Sequence, residues 1–253
     1  MTRRDAHVHL SRRTGFSAAL EGHDEVDTYD RARTDAGVVE ALVVGYERDG
    51  HRGNNAEILE LSRTRPWLRP LAFLETQGPP DAMLLHDGLD MGYAGWAVYL
   101  DRHAFRRWPH QHLAALGRGG GVLSVNVGMA DLDGLADGLR LLPEVPVLVS
   151  HLGLPGADGN VDALVALAAD ARVHVKLSGL YAIDPTLGHA GAREPAERLI
   201  EAFGPGRVHW GSDFSPVLDV APDSMQLPDW LPSVAGDHLD AILGDALGDL
   251  LQS

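Results

Sequence analysis

The chain contains no cysteine. Disulfides, thiolate metal sites and a cysteine nucleophile are therefore excluded. No apolar run approaches the ~18 residues that a membrane span requires. No apolar stretch suited to a signal peptide follows Met1-Thr2-Arg3-Arg4-Asp5, so a cytoplasmic protein is expected. Positive charge is in deficit. Lys and Arg number 21 against 36 Asp and Glu, a formal net charge of −15. Nucleic acid and anionic membranes reward clustered cations, so neither is expected as a partner. The acidity reads as solubility, and a small-molecule substrate fits it; the oligomeric state is not legible. There is no low-complexity segment and no linker, which predicts one domain. No glycine-rich phosphate fingerprint follows the first apolar run, which disfavours an open dinucleotide-binding sheet.

What is present is alternation. Eight short Val- and Leu-rich runs have strand character: residues 4–10, 38–45, 68–74, 95–100, 122–127, 145–151, 173–177 and 208–211. Few polar residues interrupt them, as in strands covered on both faces. Helical patterns lie between, at 24–36, 55–64, 80–89, 111–116, 131–142, 160–171, 194–203 and 237–251. Gly37 suits a C′ position, and Asp131 and Asn160 suit helix starts. Strand then helix, eight times in 253 residues, predicts an α/β protein folded as a (β/α)8 barrel. Residues 215–235, with Pro216, Pro222, Pro228 and Pro232, read as a long loop, either a lid or a simple cover.

In such a barrel the chemistry sits where strands run into the loops that follow. Strand 1 carries Asp5-Ala6-His7-Val8-His9-Leu10. Side chains two apart share a face, so His7 and His9 are expected to project together, with Asp5 on the same side as a structural barrel residue rather than a contact of the pair from beneath. Strand 6 ends at His151 and strand 8 runs into Asp213. Imidazole and carboxylate together suit Zn²⁺ or a similar divalent ion, with His7, His9 and Asp213 as ligands. A metal acidifies bound water, and Asp213 is placed to take its proton. His151 is the second catalytic candidate, orienting the water or polarising a carbonyl. A metal-free version also works on paper: Asp213 activates water directly and the histidines stabilise an oxyanion.

Tyr99, Arg102, Asn126 and Tyr181 stand at the ends of strands 4, 5 and 7 and are the substrate-binding candidates. Lys176, inside strand 7, reads either as a buried cation paired with Asp5 or Glu75 or as an exposed side chain. Arg12, Arg13, Arg52 and Arg102 lie in or near mouth loops and could bind a carboxylate bidentately, but solvent is the usual place for a loop arginine, and the loop residue His51 reads the same way. The loops after strands 1 and 4 read as short.

The motifs DAHVHL, SHLG, VKLSG and HWGSDFSP, in that order, resemble the amidohydrolase superfamily. The likeness runs from Asp5 to about Pro216 and is nearest to the amidohydrolase-2 group, which includes lactonases similar to 2-pyrone-4,6-dicarboxylate lactonase. It implies a (β/α)8 barrel in which His7 and His9 match the strand-1 pair, His151 the strand-6 histidine, and Asp213 the water-activating aspartate. Two departures stand out. Metal-dependent members add a strand-5 histidine, or a lysine or glutamate on strand 4. Here strand 5 carries Asn126, and strand 4 ends Val98-Tyr99-Leu100. The resemblance implies a hydrolase of a lactone, ester or amide. Nonoxidative decarboxylation and a repurposed, non-hydrolytic barrel are the alternatives.

Overall fold

Each apolar run becomes a strand because its Val and Leu side chains can be buried on both faces of a sheet covered by helices. The computed structural model describes residues 2–252 apart from 118–119, 157 and 222; Pro222 thus lies outside the described residues. The strands are β1 (Arg3–Val8), β2 (Val38–Val44), β3 (Leu68–Phe73), β4 (Gly95–Tyr99), β5 (Val122–Asn126), β6 (Val147–Val149), β7 (Val173–Leu177) and β8 (Val208–Trp210). They form one sheet in sequential order, and every neighbouring pair from β1 to β8 is parallel. The ends meet just beyond β8. Val8 bridges Phe214, the Asp213 amide donates to the His7 carbonyl at 3.0 Å, and the His9 amide to the Phe214 carbonyl at 2.5 Å. The fold is a (β/α)8 barrel, as the alternation predicts.

The helices are α1 (Glu25–Asp35), α2 (Asn54–Ser62), α3 (Ala82–Met91), α4 (Ala104–Arg107), α5 (His110–Ala115), α6 (Leu132–Leu139), α7 (Asp162–Ala166), α8 (Arg193–Phe203), α9 (Leu231–Ala235) and α10 (Ala246–Gln252). Their ends follow local chemistry. Asp24 caps α1 by accepting from the Asp27 amide, and Gly37 turns the chain beyond it at φ 73°. Asp131 stands at the start of α6 but caps nothing. Its carboxylate accepts from the Arg102 amide instead. The helix expected over 160–171 is short, with Asn160 accepting from the Asp162 amide just before α7. The closing helix expected over 237–251 is interrupted at Gly244, where a Cβ would lie 2.2 Å from the Thr2 carbonyl oxygen. The helical stripe yields there to a close approach under the barrel.

Two layers of core result. Val8, Val43, Val98, Val125, Val149 and Val175 point outward under the helices. Ala6, Leu42, Val44, Leu71, Ala97, Val122 and Leu148 form a second cluster with Leu247 of α10, which closes the floor. Each large aliphatic side chain removed from water contributes about 1.5–3 kcal/mol. The described residues of 215–235 are more structured than a free loop. They include α9, and Trp230 donates from its indole nitrogen to the Gly188 carbonyl at 2.9 Å. No helix among the described residues is long and apolar enough to cross a membrane.

Two histidines near the floor give the fold an acid sensitivity. His174 Nδ1 and His209 Nε2 lie 2.9 Å apart in stacked rings. Burial lowers His174 to about 4 and His209 well below its ordinary value. The unfolded chain takes protons here near pH 6.5 while the folded chain does not. The pair's contribution is therefore present above pH 6.5 and lost as pH falls toward 4. Asp5 and Asp213, both raised to about 6 by burial, act with the opposite sign. The urea midpoint should fall between pH 6.5 and pH 4.5 by less in His174→Asn than in the parent. Equal losses in the two proteins would remove this assignment.

Candidate active site

β1 delivers both imidazoles, but not by simple alternation. Asp5 pairs with Ala41 and Val8 with Val43, so three steps on β1 match two on β2. That extra residue is a β-bulge, and it inverts the facing of everything before it. His7 and His9 meet inside the barrel, as expected. Asp5 does not join them. Its carboxylate turns outward and accepts from the His7 amide at 3.1 Å, the Ser212 amide at 2.9 Å and the Tyr29 hydroxyl at 3.0 Å. It stitches the seam between the first and last strands.

At the mouth, His7 Nε2 and His9 Nε2 are 3.1 Å apart. His9 Nδ1 lies 3.1 Å from the Val44 carbonyl. A carbonyl only accepts, so Nδ1 carries the hydrogen and Nε2 keeps its lone pair. Asp213 Oδ1 is 3.7 Å from His7 Nε2, and Asp213 Oδ2 is 3.8 Å from His151 Nδ1. The rings of His7 and His151 stand edge to face at 4.5 Å. Asp213 and His151 both hold φ 55°. That left-handed conformation costs a non-glycine residue of order 1–3 kcal/mol and gathers at functional sites.

All four groups are buried. Burial raises Asp213 to about 6, against the pull of His9, Tyr181 and Lys176. It lowers His9 and His151 to about 4, and His7 well below its ordinary value. The set is thus one carboxylate poised near neutrality among three neutral imidazoles.

The sequence profile of the amidohydrolase family matches residues 5–245. The chain belongs to the amidohydrolase family. No curated protein matches the sequence. Among solved structures, a probable 2-pyrone-4,6-dicarboxylic acid hydrolase from Acinetobacter baumannii with citric acid bound superposes with a TM-score of 0.80 at 15% identity, over 100% of both chains. An amidohydrolase from Burkholderia multivorans with bound zinc gives 0.78 at 19% identity, over 100% of this chain and 99% of that one. A 5-carboxyvanillate decarboxylase from Sphingomonas paucimobilis gives 0.63 at 12%, over 99% of each. At these identities the likeness speaks for the shared barrel.

In this amidohydrolase the donor set fits a divalent ion. One atom each from His7, His9 and Asp213 lies within 4.8 Å of the others. Two nitrogens bound to one tetrahedral Zn²⁺ at ~2.0–2.1 Å stand roughly 3.3 Å apart, close to the His7–His9 spacing of 3.1 Å. The His9 tautomer is also the ligating one. Asn126 stays outside the set and stands beside Tyr99, its register partner across β4 and β5.

Of the substrate-binding candidates, three reach the site. Burial, and after it the Asp213 charge, raises the Tyr99 hydroxyl above its ordinary value. Tyr181 is raised likewise, by burial and then by the nearby Asp213 charge. Arg102 is elsewhere. It is exposed, and its Nη2 donates to the Ala130 carbonyl at 2.9 Å. The resolved position of Lys176 is buried, and its partners are not the expected ones. Nζ donates to Ser124 Oγ at 2.7 Å and lies 3.3 Å from His7 Nδ1. Asp5 and Asp213 act on it only as nearby charges, and desolvation lowers it to about 7. Glu75 pairs with Arg48 at the rim instead.

Sequence reasoning missed the serines. Ser150 Oγ is 3.3 Å from His7 Nδ1, and Ser178 Oγ is 3.1 Å from His151 Nδ1 while accepting from the His151 amide. Their only signal is position, one residue before His151 and two after Lys176. His51 is not a solvent histidine. It stacks on Phe16 at 3.9 Å, and Phe16 in turn lies 5.1 Å from His9. Nor is the loop after β1 short. It runs through residues 9–24 and is pinned by buried Glu25, which accepts from the Ser11 and Phe16 amides at 3.1 and 2.6 Å and from Ser215 Oγ at 2.6 Å. One carboxylate thereby ties together the loops that carry His9 and Asp213.

Proposed function

We propose that this amidohydrolase opens a small lactone, ester or amide by attack of a water that Asp213 activates. One observation carries the reading: a buried carboxylate, raised to about 6, facing His7 at 3.7 Å and His151 at 3.8 Å. A base of that strength is ionised at neutral pH yet strong enough to take a proton as water attacks.

The residues divide the work. Asp213 takes a proton while the water oxygen bonds to the carbonyl carbon. The π electrons of the carbonyl move onto its oxygen. Ser178 accepts from the His151 amide and gives its own hydrogen to His151 Nδ1, which leaves Nε2–H of His151 to donate to that oxygen. When the adduct collapses, the bond from carbon to the leaving oxygen or nitrogen breaks, and the proton on Asp213 passes to the leaving atom. Tyr181 holds the carboxylate in orientation. Tyr99 and Asn126 form the wall against which the substrate lies. His7, His9 and Asp213 would hold a divalent ion such as Zn²⁺, which supplies Lewis acidity toward the carbonyl and acidifies water. A net charge of −15 suits a small-molecule partner and not nucleic acid.

The test is a panel of lactones, aryl esters and simple amides turned over in H₂¹⁸O. The expected result is one ¹⁸O in the product carboxylate. Carbon dioxide release from a carboxylic acid, with no hydrolysis of any panel member, would replace this reading by the decarboxylase one.

A further inference from the structure

Nδ1 of His7 has two neighbours that make opposite demands. Ser150 Oγ and Lys176 Nζ each lie 3.3 Å from it, and all three residues are buried. A hydroxyl can accept a hydrogen or give one, whereas the ammonium form of Lys176 can only give. Lys176 is also the only lysine in the chain, and its bond to Ser124 at 2.7 Å keeps Nζ in place.

The far side of the ring completes the constraint. His9 presents a lone pair at Nε2, because its Nδ1 hydrogen is taken by the Val44 carbonyl. His7 Nε2 faces that lone pair at 3.1 Å. Two lone pairs do not face one another at this distance without a hydrogen or a cation between them. His7 therefore has two states. In one, Lys176 donates to Nδ1 and the Nε2 hydrogen goes to His9. In the other, a cation takes both Nε2 lone pairs, and the Nδ1 hydrogen goes to Ser150 Oγ, the neighbour that can accept whatever the charge on Lys176.

We infer that Lys176 and Ser150 are positioning residues with opposite action on the same imidazole: Lys176 opposes, and Ser150 supports, a divalent cation on His7, His9 and Asp213. The inference rests on reading those three as a cation-competent set within the proposed hydrolytic site. Charge acts in the same direction as the hydrogen-bond argument. A divalent ion would share a poorly screened interior with Lys176 in its charged form, and Met in its place removes that repulsion with little loss of volume. Partners of the second ring nitrogen typically change metal affinity by about 10–100-fold.

Zinc affinity, measured by competition with a chromophoric chelator on metal-stripped protein, separates the two roles. Lys176→Met should tighten zinc about tenfold or more, and Ser150→Ala should weaken it about tenfold or more. The inference is overturned if Lys176→Met binds zinc no tighter than the parent, if Ser150→Ala is unchanged, or if none of the three proteins takes up zinc. Should Lys176→Met not fold, ¹⁵N imidazole spectra of the metal-stripped parent decide the same point. The His7 hydrogen is expected on Nε2, and finding it on Nδ1 removes the role of Lys176. Turnover is scored separately. Hydrolysis without this zinc pattern strikes the inference alone, and the zinc pattern without hydrolysis strikes only the proposed reaction.

Discussion

Asp213→Asn should fold, melt no lower than the parent, and lose roughly 10³-fold or more in turnover, within the range that a removed general base commonly costs. The three parts of that result have separate causes. Asn is among the few residues that tolerate φ near 55°, so the backbone at 213 is kept. Burial of the carboxylate is unfavourable in the parent, since desolvation raises Asp213 to about 6. The neutral amide removes that cost, and thermal stability should hold or rise. An amide cannot take a proton from water, so the reaction stops. The parent supplies a matching pH signature: kcat/KM should fall about tenfold per pH unit below about 6, as the carboxylate becomes protonated. More than a tenth of parental activity in Asp213→Asn would sink the mechanism.

The second large effect comes from a residue with no side chain. Gly179 holds φ 58°, and a Cβ there would sit 2.4 Å from His151 Nδ1 and 3.2 Å from Asp213 Oδ2. His151 has nowhere to retreat. Ser178 holds it at 3.1 Å and the His7 ring stands behind it at 4.5 Å. Gly179→Ala should lower kcat by about 100-fold, the effect of moving a reacting group by ~1 Å, and cost about 1–3 kcal/mol of stability. Gly37→Ala separates strain from collision. It forces alanine to φ 73° with nothing within 4 Å. It should cost about 1 kcal/mol and leave kcat unchanged. Equal kcat in both variants would show that Gly179 serves the backbone alone.

Much of the barrel was legible in the sequence. Strand identity depends on side chains within a few positions, so Val38, Leu68 and Val122 announce their strands locally. The convergence of His7, His9, His151 and Asp213 followed from topology, because parallel strands all finish at one rim. The failures share a cause. Asp5 is the structural residue that the sequence suggests, but its facing is misread, because alternation is counted along one strand whereas the bulge arises between two. Arg102 reads as a mouth residue by position, yet the Ala130 carbonyl draws it to the outside. Lys176 reads as a partner of carboxylates, since charge is visible in a sequence and the facing of a serine hydroxyl is not.

The sequence by itself determined the alternation of elements, the number of strands, the family motifs and the residue types that reach the rim, because these depend on local periodicity and chain order. Only the tertiary structure decided that Asp5 faces outward, that Ser150 and Lys176 flank one nitrogen of His7, that His51 lies on Phe16, and that Gly179 leaves room for His151. Those outcomes depend on how strands from opposite ends of the chain settle against one another when the barrel closes, to within a few tenths of an ångström.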